Sequence, residues 1–233
     1  MRLHTGLFLI AISTVSITCG CTPQAALIAS LIPDGTLNAL LGNLERVPDE
    51  NRRRVAELER RGEWTELGQL AARELAKDRS NADWWLIAGY AHSQLGDHAA
   101  AAEAYSQVVR IEPDNAAGWH LLAQTHRAAG APHRAVNVLN NALLALRDSA
   151  LTHYLLGETY SDLKRYGESA GAFEGALKIE QKFPAAWYAL AMAYMRLNRP
   201  ADARAAAAQL EKLDATLAGR LRDALSQAAV IPR

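Results

Sequence analysis

The run Gly167-Glu168-Ser169-Ala170-Gly171 matches the sequence pattern of a hydrolase nucleophile. That pattern requires a strained turn between a strand and a helix, which exposes the serine hydroxyl for attack on a carbonyl. Here Ser169 instead recurs in register with Ala101, Ala135 and Ala203 at intervals of 34 residues. Because a small residue at such positions suits close contact between helices, we interpret Ser169 as a packing residue rather than a catalytic one.

Histidine gives no sign of a metal centre in this sequence. The seven histidines include no i, i+4 pair with an intervening glutamate, the spacing that zinc hydrolases use. His92 and His126 occupy a recurring position that holds Tyr160 and Tyr194 elsewhere, which favours packing roles. No glycine-rich phosphate-binding loop is present in the sequence either. We therefore predict no metal, no cofactor, no small-molecule substrate and no enzymatic activity.

The composition of the chain predicts an all-α protein. Half of the 233 residues are hydrophobic, which is enough to bury a sizeable core. Ala, Leu, Glu, Arg and Gln are frequent and favour helix, while long β-branched runs are missing. Lys plus Arg equals Asp plus Glu at 25 each, so no excess of positive charge attracts a phosphate backbone. Nucleic acid is not an expected partner.

The first 20 residues predict a signal peptide for export. Arg2 precedes an apolar stretch over residues 7–17, and small or polar residues follow at 18–20. The apolar stretch is shorter than the roughly 20 residues of a transmembrane helix, which favours cleavage. Only Cys19 and Cys21 are cysteines, so no disulfide framework is expected.

The pair Gly20-Cys21 resembles the cleavage site of bacterial lipoprotein precursors, in which the cysteine receives a lipid. The resemblance implies lipid attachment at Cys21, although Thr18 stands where that family prefers leucine. An ordinary cleaved signal is the alternative. Thr22 follows the cysteine where inner-membrane lipoproteins often carry aspartate, which implies an outer-membrane location facing the periplasm. The expected contact with the membrane is through this lipid.

Residues 21–47 comprise the lipidated cysteine and a linker with a short helix. The run Pro33-Asp34-Gly35 predicts a turn, and Thr36 can cap a helix. One face of that helix carries Leu37, Leu40, Leu41 and Leu44. Such an apolar face must be buried, and three sites for it remain open: the first repeat, a partner, or the membrane surface.

The sequence after residue 47 follows a period of 34 residues. Gly62, Gly96 and Gly130 recur at this interval, and Lys164 and Asn198 continue the register. The period divides the chain into five units, at 48–81, 82–115, 116–149, 150–183 and 184–217. Residues 218–233 predict a capping helix and tail, because apolar residues recur on one face there while charged residues occupy the other.

The unit over residues 82–115 carries the clearest set of recurring side chains. It contains Trp85, Gly89, Gly96, Ala101, Tyr105 and a closing Pro113. These positions resemble the signature of the tetratricopeptide repeat (TPR) family. The resemblance implies a right-handed superhelical stack of antiparallel helix pairs, a TPR-type α-solenoid, with 48–81 as a degenerate first repeat.

The family resemblance also implies a concave groove, lined by the first helix of each pair, in which extended ligands bind. Mapped by register, the candidate groove consists of Tyr90, Gln94, His120, Gln124, Arg127, Tyr154, Glu158, Asp162, Tyr188, Met192, Met195 and Arg196. Tyr154, Tyr188 and the two methionines suit the apolar side of a peptide or helix, and Arg127 suits a partner carboxylate. The alternative is that individual side chains pack against neighbouring helices.

Together these features predict a lipid-anchored periplasmic scaffold for protein–protein interactions. We expect an adaptor or assembly factor for a cell-envelope complex such as a pilus or secretion machine, with one or more envelope proteins or peptides bound in the candidate groove. Two alternatives remain open: a periplasmic holdase for peptide or unfolded clients, and a structural stack that pairs with itself.

Overall fold

A computed structural model describes residue 44, residues 46–147 and residues 149–230, with side chains to residue 226. All regular structure in this part of the chain is helical, so the predicted all-α fold is confirmed. The helices are α1 (Asp49–Arg61), α2 (Trp64–Lys77), α3 (Ala82–Gln94), α4 (His98–Ile111), α5 (Ala116–Ala128), α6 (Pro132–Ala145), α7 (Ala150–Asp162), α8 (Tyr166–Ile179), α9 (Pro184–Arg196), α10 (Pro200–Leu213) and α11 (Ala215–Val230). The signal region and most of the predicted linker lie outside the described residues.

The helices pack mainly on their neighbours in sequence. Each of the first ten forms one half of a pair, and each pair stacks on the next through the helix that follows it. The first helices α5, α7 and α9 also touch one another directly. The described chain is therefore an α-solenoid whose core is a sum of nearest-neighbour contacts.

A small residue near the start of each second helix lets the two helices of a pair approach closely. Ala101, Ala135, Ser169 and Ala203 are all 0% exposed. Nearby, a Cβ built on Gly89 would lie 2.6–2.9 Å from ring atoms of Tyr105, so glycine is required where the aromatic ring crosses α3. Burial at these positions follows from the 34-residue register.

Each first helix ends in a left-handed residue at the same register position. Gly62, Gly96 and Gly130 have φ of 69°, 75° and 70°, and Lys164 and Asn198 both have φ of 58°. Glycine adopts this conformation without a steric cost, whereas a residue with a Cβ is strained there by about 1 kcal/mol. The two later repeats therefore form the same turn at a cost in stability.

An indole hydrogen bond closes the turn before three of the first helices. Trp85 Nε1 donates to the Arg79 carbonyl at 2.9 Å, and Trp119 donates to Pro113 at 2.8 Å. The third bond, of 2.8 Å, joins Trp187 to the Gln181 carbonyl. Each donor lies six residues after its acceptor, so the recurring tryptophans have a common structural role.

The C-terminal helix α11 begins at Ala215, three residues before the predicted boundary at 218. Leu217, Ala218 and Leu221 are buried, whereas Arg222 and Asp223 are exposed. The helix packs on both α9 and α10. It covers the last helix pair with an apolar face and presents charge to solvent, as a capping helix must.

Candidate functional site

The candidate groove residues lie on four first helices. Tyr90 and Gln94 belong to α3, three residues to α5, three to α7 and four to α9. Five of the twelve are buried, with exposures of 9% for Tyr90 and His120, 1% for Tyr154, 5% for Glu158 and 8% for Tyr188. The register thus brings the predicted residues into rows, but several of these side chains are enclosed within the chain.

Tyr154 is packed rather than open to a partner. Its ring centroid lies 5.6 Å from that of Phe173 and 5.1 Å from that of Phe183, in tilted arrangements. Its hydroxyl donates to Glu158 Oε1 at 3.0 Å. These contacts give Tyr154 an internal role, in place of the open apolar strip that the sequence predicts.

Arg127 binds carboxylates of its own chain. Its Nε donates to Asp162 Oδ2 at 2.7 Å, and its Nη1 donates to Glu158 Oε2 at 3.1 Å. Burial raises the pKa of Glu158, and the adjacent guanidinium opposes this shift. The predicted bond from Arg127 to a partner carboxylate is therefore replaced by two bonds that tie α5 to α7.

His120 also makes its hydrogen bond within the stack. Its Nε2 lies 2.8 Å from the Thr152 hydroxyl, and that hydroxyl donates to Ser149 Oγ at 2.7 Å. Burial lowers the pKa of His120 to about 4, so the ring is neutral at pH 7. This arrangement positions α5 against the start of α7 and adds no charge to the candidate groove.

The accessible part of the candidate groove is concentrated on α9. Met192 and Met195 are half-buried, and Arg196 is exposed. At the register position of Met192, the two preceding repeats hold half-buried Gln124 and buried Glu158. The last repeat therefore offers adaptable apolar side chains next to an exposed cation, where earlier repeats offer polar groups.

Asp83 is a functional contact that sequence reasoning did not identify. Its carboxylate accepts a 3.0 Å hydrogen bond from the backbone N–H of Arg46, which precedes α1. The corresponding positions of later repeats are Ala117, Leu151 and Ala185, so a lone acid in this row was the available signal. The segment before α1 is thereby connected to α3.

Two clefts between second helices recur at the same register. One, of about 350 Å³, is lined by Trp85 and His92 of α3 with side chains of α2 and α4. The other, of about 440 Å³, is lined by the equivalent Trp187 and Tyr194 of α9 with side chains of α8 and α10. The repeats thus form a second surface that the prediction of a groove on the first helices did not include.

Chemistry-bearing groups are not assembled in the described residues. Ser169 lies in α8, is 0% exposed, and its hydroxyl is 2.6 Å from that of Ser161. Residues 44–230, apart from the two left undescribed, contain no cluster of three or more His, Cys, Asp or Glu side chains that could hold a metal ion. None of the described helices is both long and apolar enough to cross a membrane. Cys21, the predicted lipid site, lies outside the described residues.

Sequence families match most of the helical stack. Residues 64–116 and residues 160–228 each match the family described as tetratricopeptide repeat. Residues 94–176 match the family described as anaphase-promoting complex, cyclosome, subunit 3. No curated protein sequence matches the chain at a significant level.

Solved structures with the same fold include the crystal structure of MamA, with a TM-score of 0.62 and 18% identity over 71% of this chain and 96% of that one. MamA 41-end from Desulfovibrio magneticus RS-1 gives a TM-score of 0.61 at 18% identity, over 71% of this chain and 93% of its own. A thermophilic TPR protein in Thermus thermophilus, TTC0263, gives 0.54 at 21% identity, over 77% and 97%. These similarities concern the fold.

Proposed function

Because this chain carries tetratricopeptide repeats, we propose that it is a scaffold for protein–protein interactions whose first helices hold a partner. The observation that carries this proposal is the accessible strip of Met192, Met195 and Arg196 on α9. Methionines adapt to irregular apolar surfaces, and the arginine supplies a charge-assisted bond at the edge of the same strip. A peptide or helix with an apolar face and an acidic residue fits this surface.

The proposed location is the periplasmic face of a bacterial outer membrane, with a lipid on Cys21 as the anchor. The order of residues in 1–21 supports this part of the proposal. An anchored stack with an exposed binding strip suits an adaptor or assembly factor for an envelope complex such as a pilus or secretion machine. The balanced charge favours recognition by shape and apolar contact over long-range attraction.

In-cell crosslinking from position 195 tests the proposed partner surface. A photo-crosslinking amino acid at Met195 is expected to capture one envelope protein, whereas the same probe at exposed Lys212 on α10 is not. With the purified partner, Met195→Asp should weaken binding at least about tenfold, because a charge replaces an apolar contact. Lys212→Asp is the matched control and should leave affinity unchanged.

Two outcomes would contradict the adaptor proposal. Equal capture from both positions would remove the α9 strip as the partner site. Capture of many unrelated proteins at low occupancy would instead identify a holdase, since a holdase retains no single partner through membrane extraction.

Labelling with a radioactive fatty acid tests the anchor. Cys21→Ser should abolish incorporation, because no other cysteine stands at the lipoprotein-like position. Cys19→Ser is the control and should keep the label. Incorporation that survives Cys21→Ser would show that the lipid, if present, is attached elsewhere.

A further inference from the structure

The chain is fastened to the stack before its first helix begins. Leu44 and Val47 are 2% and 1% exposed and belong to the apolar core. The Arg46 N–H donates to Asp83, and the Asn81 side chain donates to the Arg46 carbonyl at 3.3 Å. Residues 44–47 are therefore held against the start of α3 by two buried side chains and two hydrogen bonds.

Arg46 also shows the direction from which the chain arrives. Its guanidinium pairs with Glu112 at the end of α4. The Glu112 carboxylate in turn accepts a 2.9 Å hydrogen bond from Asn115, the N-cap of α5. Followed backward from α1, the chain crosses α3 at Asp83, a position in the groove register, and reaches the turn between α4 and α5. The residues before 44 are thus directed toward the α3–α5 half of the candidate groove.

The sequence before this contact suits an apolar surface. Leu44 is the last of four leucines that share one face of the helix predicted from Thr36. Since Leu44 is buried, a helix continuing backward from it turns Leu37, Leu40 and Leu41 toward the same surface. Nine helical residues rise about 13 Å, slightly more than the roughly 8–10 Å between packed helices. Residues 36–44 are long enough to extend from α3 across α5.

The surface that these leucines would meet is largely uncharged. On α3 it offers Leu86 and Tyr90, which are 4% and 9% exposed. On α5 it offers half-buried Ala117 and Gln124, with His120 between them in a neutral form. Leucine side chains can pack there without removing water from an ionised group.

We propose that residues 36–44 form an amphipathic helix whose leucine face covers the α3–α5 half of the candidate groove. This assigns an occupant to that half and leaves the strip of Met192, Met195 and Arg196 for an external partner, a consequence that rests on the proposed function. The helix also sets where the chain emerges from the stack on its way to the anchor.

Hydrogen exchange of the full chain in detergent, read by mass spectrometry, tests the proposed helix. The amides of 36–44 should be protected, and Leu41→Asp should raise their exchange rate at least about tenfold by removing one buried leucine. Ala39→Asp introduces the same charge on the opposite face and should leave the protection unchanged. Fast exchange in the unmodified chain, or equal effects of the two variants, would overturn the proposal.

A photo-crosslinker at Leu40 tests where the helix lies without relying on a destabilising substitution. We expect crosslinks within one molecule to peptides of α3 or α5. Crosslinks to detergent, to a second copy or to another protein would each refute self-docking, because each would place the leucine face on a different surface. Partner capture from Met195 is scored separately, so failure of either proposal leaves the other test readable.

Discussion

His120 lies between α5 and α7 in a site that excludes its charged form. Burial lowers its pKa to about 4, against about 6.5 in an unfolded chain. Between these values the unfolded state binds a proton that the native state does not, so native stability falls as pH drops through this window. The side chain that the sequence marks as a partner contact is therefore a source of acid sensitivity.

We predict that His120→Gln removes part of the acid sensitivity of the fold. The difference in unfolding free energy between variant and parent should shift in favour of the variant by roughly 3 kcal/mol or less from pH 7 to about pH 4. Urea unfolding at several pH values measures this difference. His133→Gln, at an exposed position, is the control, and parallel stability curves for His120→Gln and parent would contradict the prediction.

Arg127 neutralises a carboxylate that burial would otherwise protonate. We predict that Arg127→Met costs about 2–4 kcal/mol at neutral pH, because Glu158 is then left buried without its cation. Since burial raises the native pKa of Glu158, this deficit is largest above that pKa and shrinks as pH falls and the carboxyl gains a proton.

Thermal or urea unfolding of Arg127→Met at neutral and mildly acidic pH measures the effect. Arg165→Met is the matched control, since Arg165 pairs with Glu168 at an exposed site and such pairs contribute little. A deficit that grows toward low pH would show that the network acts through something other than the Glu158 charge.

At the scale of helices, two glycines within helices differ in what surrounds them. We predict that Gly89→Ala costs roughly 1–3 kcal/mol, because its Cβ would lie 2.6–2.9 Å from the buried Tyr105 ring. Gly171 in α8 has no atom within 4 Å of an added Cβ, so Gly171→Ala should stabilise the helix by up to about 1 kcal/mol. Calorimetric melting of both variants measures the pair, and changes of the same sign would contradict this interpretation.

The helices could be predicted from sequence because their boundaries repeat with the 34-residue register. Left-handed residues end the first helices at Gly62, Gly96 and Gly130, and the same position identifies the turns at Lys164 and Asn198. The state of the groove side chains could not be predicted in the same way. A register assigns a residue to a helix face, but its exposure depends on which side chains the adjacent repeat places beside it.

Arg127 illustrates this limit. Its carboxylate partners are 31 and 35 residues away, close to one period. Opposite charges separated by about one period on first helices were thus a usable signal for an internal ion pair. Arg46 gave no such signal, because it lies before the repeats and its contact with Asp83 follows from the path of the chain.

At the scale of the whole stack, stability is divided among neighbouring pairs rather than shared through one core. We predict that Leu221→Ala, at a 0% exposed site in α11, costs about 2–4 kcal/mol and acts mainly on α9 and α10. Hydrogen exchange should show faster opening there while α3 to α6 keep their protection. The exposed Thr216→Ala is the control, and uniform loss of protection along the chain would argue for a single cooperative unit.

The indole bonds of Trp85, Trp119 and Trp187 give three repeats a natural spectroscopic marker. Each indole proton is donated to a carbonyl six residues earlier, so its magnetic resonance signal reports whether that particular junction is intact. During denaturation or partner binding, the order in which the three signals move would therefore reveal which end of the protein loosens first, with no label attached.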